Sequence, residues 1–195
     1  MVTVSSDLER RTLLQMAAGL AIGGALGPLG MAGTARAAAL PPAPTGKPGD
    51  FDFLTGEWKI KNRQRKGHEW DLFHGEATVV GILGGIASIE ELRIPERNFS
   101  GMGLRLLDRE QKLWADFWVN SQSGVLQPPP AWGSFANGVG TWDGDDVDAA
   151  GKPIVIRGCW DKITPTTCRW YQAVSRDDGK SWDENWVMDW TRKNR

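Results

Sequence analysis

Beyond Glu57 no stretch of the chain repeats its apolar residues every 3.6 positions, as an amphipathic helix would. Short runs rich in β-branched and aromatic residues follow one another instead, broken at intervals by Gly, Pro, Asp and Asn. They predict strands near 57–66, 72–81, 86–94, 100–108, 112–120, 132–136, 138–143, 153–161, 167–175 and 182–191. Most connectors are hairpin-sized. Asp108-Arg109-Glu110-Gln111 is one, Asp143-Gly144-Asp145-Asp146 begins a longer one, and Asp178-Gly179 sits in a third. The long loop from Ser121 to Ala131 holds three prolines that cannot donate to a ladder, so it either lids one end of the fold or turns a corner. Phe51 to Leu54 predicts one helical turn, closed by Gly56. About ten sequential strands behind that turn predict an all-β domain, a single up-and-down antiparallel β-barrel of about ten strands, with a sandwich as the alternative.

Alternation within the strands sorts candidate site residues from candidate wall. Pairing 101–108 with 112–120 about Glu110-Gln111 puts Met102, Leu104, Leu106, Leu113, Ala115, Phe117 and Val119 on one face. The other face carries Gly103, Arg105, Trp114, Asp116, Trp118 and Asn120, with Arg105 opposite Asp116. In one account the aliphatic face is the core and Arg105/Asp116 is a surface ion pair. In the other, the indoles and charges line a cavity, where an arginine and a carboxylate orient the polar end of a ligand between aromatic walls. Two tryptophans in phase would be wasteful exposed to water, which favours the cavity. In the later hairpin, Arg157, Trp170 and Gln172 fall on one face, and Ile156, Trp160, Tyr171, Glu184, Trp186 and Met188 on the other. A bulge beyond the 178–179 turn would reverse the assignment for 182–190.

That turn lies in Ser175-Arg176-Asp177-Asp178-Gly179-Lys180-Ser181-Trp182, which resembles the Asp-box hairpin of sialidase propellers. It occurs once, and a propeller needs at least four blades, so it reads as a single hairpin. Gly179 supplies positive φ, Asp177 accepts turn amides, Ser175 pins the entering strand and Trp182 covers the turn. Upstream, a turn centred on Ile163-Thr164 would set Cys159 opposite Cys168. This predicts a disulfide, two free buried thiols being the alternative.

Composition changes the picture at the N-terminus. Arg10-Arg11 precede an apolar, Gly/Ala-rich run from Met16 to Gly33, and Ala35-Arg36-Ala37 follows as a small-residue cleavage pattern. Residues 1–37 thus resemble a twin-arginine signal peptide, which implies a periplasmic or secreted protein with no membrane association after cleavage. Residues 38–49 are a proline-rich linker, and 50–192 form the domain. With 23 basic and 24 acidic residues the chain has no basic field, which argues against nucleic acid as a partner. Its two histidines, His68 and His74, are better read as a turn residue and a strand residue than as metal ligands, so no metal or cofactor is expected. Eleven tryptophans stand out as flat, stiff, amphipathic surface, used either as ligand walls or as barrel filling.

The opening "FDFLTGEW", the central "GMGLRLLDREQKLWADFWVNS" and the closing "IRGCWDKITPTTCRWYQAVSRDDGKSWDENWVMDWTR" together resemble a bacterial family of lipocalin-like proteins of uncharacterised function. The resemblance covers about residues 50–192 and implies a ten-stranded calycin-type barrel around a cavity. It extends distantly to the nitrobindins, which bind haem through a late histidine; this chain has no histidine after His74. The expected ligand is a small hydrophobic or aromatic molecule, met by Arg105, Trp114, Asp116, Trp118, Arg157, Trp170, Gln172, Glu184 and Trp186. The alternative is a cofactor-independent isomerase or lyase in which Asp116, Glu184 or Glu90 moves a proton. No feature of the sequence specifies an oligomeric state.

Overall fold

The computed structural model describes residues 43–126 and 128–193. The expected leader, 1–37, and the start of the linker lie outside the described residues. Ten strands follow in chain order: β1 (Gly56–Lys66), β2 (Glu69–Ile82), β3 (Ala87–Ile94), β4 (Phe99–Asp108), β5 (Leu113–Asn120), β6 (Ala131–Ala136), β7 (Val139–Val147), β8 (Pro153–Asp161), β9 (Thr167–Ser175) and β10 (Asp183–Arg192). Each is antiparallel to its sequence neighbour, and β1 pairs with β10 from Trp58 opposite Arg192 to Gln64 opposite Trp186. The sheet therefore closes into an up-and-down barrel, with β5 and β6 joined by the shortest ladder, Trp114 to Asp116. The sandwich alternative is excluded.

Alternation sets the interior. Trp58, Ile60, Asn62 and Gln64 on β1 are buried, while Lys59, Lys61, Arg63 and Arg65 between them are exposed. On β4 the buried positions are Phe99, Gly101, Gly103, Arg105 and Leu107. Arg105 faces Asp116 in the β4–β5 register, as its sequence spacing predicts. The indole-and-charge face points inward. The aliphatic face is outer wall, where Met102 and Leu106 stay exposed, as do Val80 and Ile82 on β2.

One end of the barrel is plugged by the segment before β1. A 3-10 turn, Asp52–Leu54, carries Phe51 edge-on to Trp114 (4.8 Å) and Phe135 (5.1 Å), and Phe53 against Trp160 (5.9 Å). The Trp58 indole N–H donates to the Leu54 carbonyl (2.7 Å). From the last strand, Arg192 donates to the carbonyl of Phe53 (2.6 Å) and lies over the Trp58 ring (4.3 Å). Gly56 joins plug to strand at φ +129°, where a side chain would also strike the Arg192 guanidinium.

The Ser175–Trp182 hairpin is held by its own side chains. Ser175 Oγ accepts the Gly179 amide (2.7 Å), and Asp177 accepts the Ser181 amide (2.9 Å) and hydroxyl (2.6 Å). Those bonds hold the Asp177 carboxyl down at about 2. The Trp182 N–H closes onto the Gly179 carbonyl (3.1 Å).

Two expectations are corrected. Asp143 to Asp146 do not begin a connector but extend β7, because Arg157 on β8 grips the Asp143 carboxylate with two 2.7 Å bonds. The Cys159–Cys168 disulfide does not form, and both thiols are free and buried. Thr164 Oγ1 accepts the Thr166 and Thr167 amides, making a wider turn around Pro165, so Trp160 rather than Cys159 opposes the inward-facing residue of β9, Trp170. An odd displacement reverses facing. Cys159 ends on the outer wall opposite Tyr171, while Cys168 points inward near Glu90 and Arg105 with its thiol pushed up to about 12 by burial.

Two outcomes follow from this packing. Dithiothreitol is expected to leave the melting temperature unchanged, with both thiols reacting with Ellman's reagent only on unfolding; a clear drop in melting temperature on reduction contradicts the free-thiol assignment. Gly133, whose Cβ would overlap the Thr141 carbonyl and the Trp142 ring, is expected to lose roughly 1–3 kcal/mol of urea-measured stability as Gly133→Ala.

Candidate functional site

The interior is not uniform along its axis. At the plugged end Trp58, Trp114, Trp160 and Trp190 are fully buried against one another or the plug phenylalanines, while Trp186, also fully buried, lies toward the other end against Phe73 and Trp170. Trp118 on β5 and Trp170 on β9 also point inward, yet both are only partly buried. Between Trp114 and Trp118, the Asp116 side chain keeps 27% of its surface accessible. Beside Asp116 and Trp118 the β5–β6 ladder has already ended, its last pair being Asp116 and Ala131. Glycines let the two indoles lie close against neighbouring strands. A Cβ at Gly101 would overlap the Trp118 ring, and one at Gly158 would sit 3.6 Å from the Trp170 nitrogen.

At the border of the packed and open halves stands Arg105. Its guanidinium lies over Phe51 (5.1 Å) and Trp160 (5.5 Å) and donates through Nη2 to Glu90 (2.6 Å). Both partners are about 95% buried. Burial works against the arginine's charge, but Glu90 and Asp116 outweigh it and keep the guanidinium protonated. Asp116 Oδ1 is 3.6 Å from Nε, too long for a hydrogen bond. Arg105 Nε and Nη1 have no hydrogen-bond partner among the described residues; neither do Asn62 Nδ2, Ser88 Oγ and the indole nitrogens of Trp118 and Trp190. Nearly all of these are donors only. Asn62 spends its oxygen on the Trp186 N–H (3.0 Å) and turns its amide nitrogen inward. Arg105 thus keeps two nitrogens without acceptors among the described residues, with the Asp116 carboxyl beside them.

That carboxyl is displaced in its titration. Burial raises Asp116 to about 6, with Arg105 opposing and Glu90 reinforcing the rise. Asp116 is thus poised to exchange a proton near neutral pH.

The structure brings most of the sequence-predicted residues together. Arg105, Trp114, Asp116, Trp118, Trp170, Gln172 and Trp186 all face the interior, with Trp114 and Trp186 in packed layers. Gln172 is buried and donates to Asn185 (3.1 Å). Glu90, named from sequence only as a possible proton carrier, is the Arg105 partner. Two residues are elsewhere. Arg157 is on the outer wall, bound to Asp143 and stacked over Trp182 (3.9 Å), because the β8–β9 register differs from the one expected by an odd step. Glu184 is also outside, paired with Arg169 (3.2 Å), because a bulge between Glu184 and Trp186 switches the face midway along β10.

Sequence reasoning missed Asn62, Ser88 and Trp190. A signal for the first two was present in the alternation. Asn62 is in phase with Trp58 and Ile60, and Ser88 with Leu92 and Ile94, so both are polar residues at apolar positions. Among the described residues no group of three His, Cys, Asp or Glu is placed to hold a metal ion. His74 lies outside, 3.3 Å from Glu96. No protein-family model matches the chain, and no curated protein matches it.

A raised carboxyl pKa works against the folded state once the group ionises. Asp116 therefore leaves stability intact below about pH 4 and reduces it as pH climbs through about 6. Urea titrations across pH 4–8 are expected to show a fall on the order of a few kcal/mol in the wild type that Asp116→Asn removes. Equal pH dependence in the two proteins contradicts the assignment.

Proposed function

We propose that the protein binds one small, flat, largely apolar or aromatic molecule inside the barrel, with the molecule's polar end at Arg105 and Asp116. The observation that carries this reading is the buried Arg105, with Nε and Nη1 lacking partners among the described residues beside Asp116, in an interior where two indoles keep accessible surface. Unpaired buried donors cost free energy in an isolated barrel, on the order of 1–3 kcal/mol each, and a guest that supplies acceptors recovers it. Trp118 and Trp170 offer faces for a flat guest at little entropic cost. The leader pattern of residues 1–37 supports export, which places such binding in the periplasm or outside the cell.

A second reading is favoured by one observation. Asp116, free of hydrogen bonds and titrating at about 6, suits proton transfer in an isomerase or lyase acting on the same kind of molecule. Glu90 is committed to Arg105, and Glu184 is on the outer wall, so Asp116 alone would carry that step.

Intrinsic fluorescence titrated with 1-naphthol tests the binding reading. Saturable quenching is expected, weakened about tenfold by Trp170→Ala or Trp118→Ala and unchanged by Trp70→Ala on the outer wall. Quenching that stays linear, or that all three variants reduce equally, overturns it. Mass spectrometry of whatever co-purifies from native periplasm then identifies the guest, and turnover of that guest lost in Asp116→Asn would select the enzyme.

A further inference from the structure

The polar half of the site has a charge problem whose solution names the class of guest. Its fixed charges come from three strands. Glu90 on β3 and Arg105 on β4 form a buried pair, and Asp116 on β5 stands beside the arginine. From β9 the inward group is Cys168, a protonated thiol, and the plug contributes Phe51. Arg192 of β10 turns away, to the carbonyls of Phe53 and Pro165.

Glu90 takes only Nη2 of Arg105, so most of the guanidinium's N–H groups face the interior without an acceptor. Asp116 does not take them: at 3.6 Å from Nε it stops short, and among the described residues none donates to it. Arginine and aspartic acid thus stand side by side, each with unused hydrogen-bonding capacity. A ketone or ester would satisfy the arginine and leave Asp116 without a donor; a primary amide could serve both, but brings no charge to set against the guanidinium. A carboxylate satisfies the arginine more strongly, since both partners are charged. It would, however, crowd a third negative group around one positive one unless a proton enters with it. Two carboxyl oxygens that face each other hold one proton between them far above the usual carboxylate range.

We infer that the guest is an aromatic or aliphatic carboxylic acid, held by its carboxylate at Arg105, and that one proton is taken up onto the Asp116–guest carboxyl pair as it binds. No bond other than the proton's is made or broken; the proton comes from solvent. The inference rests on the proposed interior binding and specifies its polar end. The direction of the Asp116 shift agrees with it, because a carboxyl already near neutrality is readily driven to its protonated form. Above about pH 6 each unit of pH should then weaken binding about tenfold, and below that the dependence should fade.

Isothermal titration calorimetry on the wild-type protein tests it with benzoate, 2-naphthoate and decanoate, each beside its primary amide. Repeating each titration in buffers of different ionisation enthalpy counts the protons taken up. The expected result is close to one proton per acid at pH 7, falling towards zero at pH 5. No uptake is expected with the amides, and none with the acids in Asp116→Asn. Acids that bind without proton uptake, or no tighter than their amides between pH 5 and pH 7, overturn the inference and leave interior binding standing. If no acid and no amide binds folded protein, both readings fall. The proton count needs no variant, so a misfolded substitution cannot obscure it.

Discussion

Closure of the sheet is the constraint on which the rest of this molecule depends. Once β1 pairs with β10, every residue in the ladder has an inside or an outside, with nothing between. Lysines and arginines of β1 are sent out, and tryptophan, isoleucine, asparagine and glutamine are sent in. The same rule disposes of an aliphatic surface that would form the core of an open sheet. Leu104, Leu106 and Phe117 sit on the outer wall because the opposite faces of their strands are already committed to the tube.

What fills the tube is decided by size and by one charge. Large rings pack the plugged end so completely that Trp58, Trp114, Trp160 and Trp190 lose nearly all their accessible surface. A buried guanidinium then interrupts the apolar packing. Arg105 requires Glu90, since a lone charge in such surroundings costs several kcal/mol, and the pair holds open a polar layer that hydrocarbon cannot occupy. Asp116 beside it keeps accessible surface, as do Trp118 and Trp170.

Legibility from sequence follows turn geometry closely. The 101–120 hairpin was readable to the residue because its connector is short and Asp108 caps it, accepting the Glu110 and Gln111 amides, which leaves one register available. The 153–192 region was readable only as strands. There the Thr164–Thr167 turn is held by side-chain bonds that alternation does not report, and an odd displacement reversed Cys159 and Arg157. A single extra residue, Asn185, did the same to Glu184. Facing is a parity, so an error of one residue is as large as an error can be. Asn62 and Ser88 were overlooked for another reason: aromatic and charged residues drew attention, while the informative feature was a small polar side chain in phase with large apolar ones.

The plug binds together parts of the chain that synthesis separates widely. Arg192, near the final residue of the domain, holds carbonyls that precede the first strand, 137 and 139 positions earlier. Contacts of such sequence separation come late and slowly in folding, because the intervening chain must first be ordered. Neither the seal nor the ring of strands can therefore form before β10 has been made.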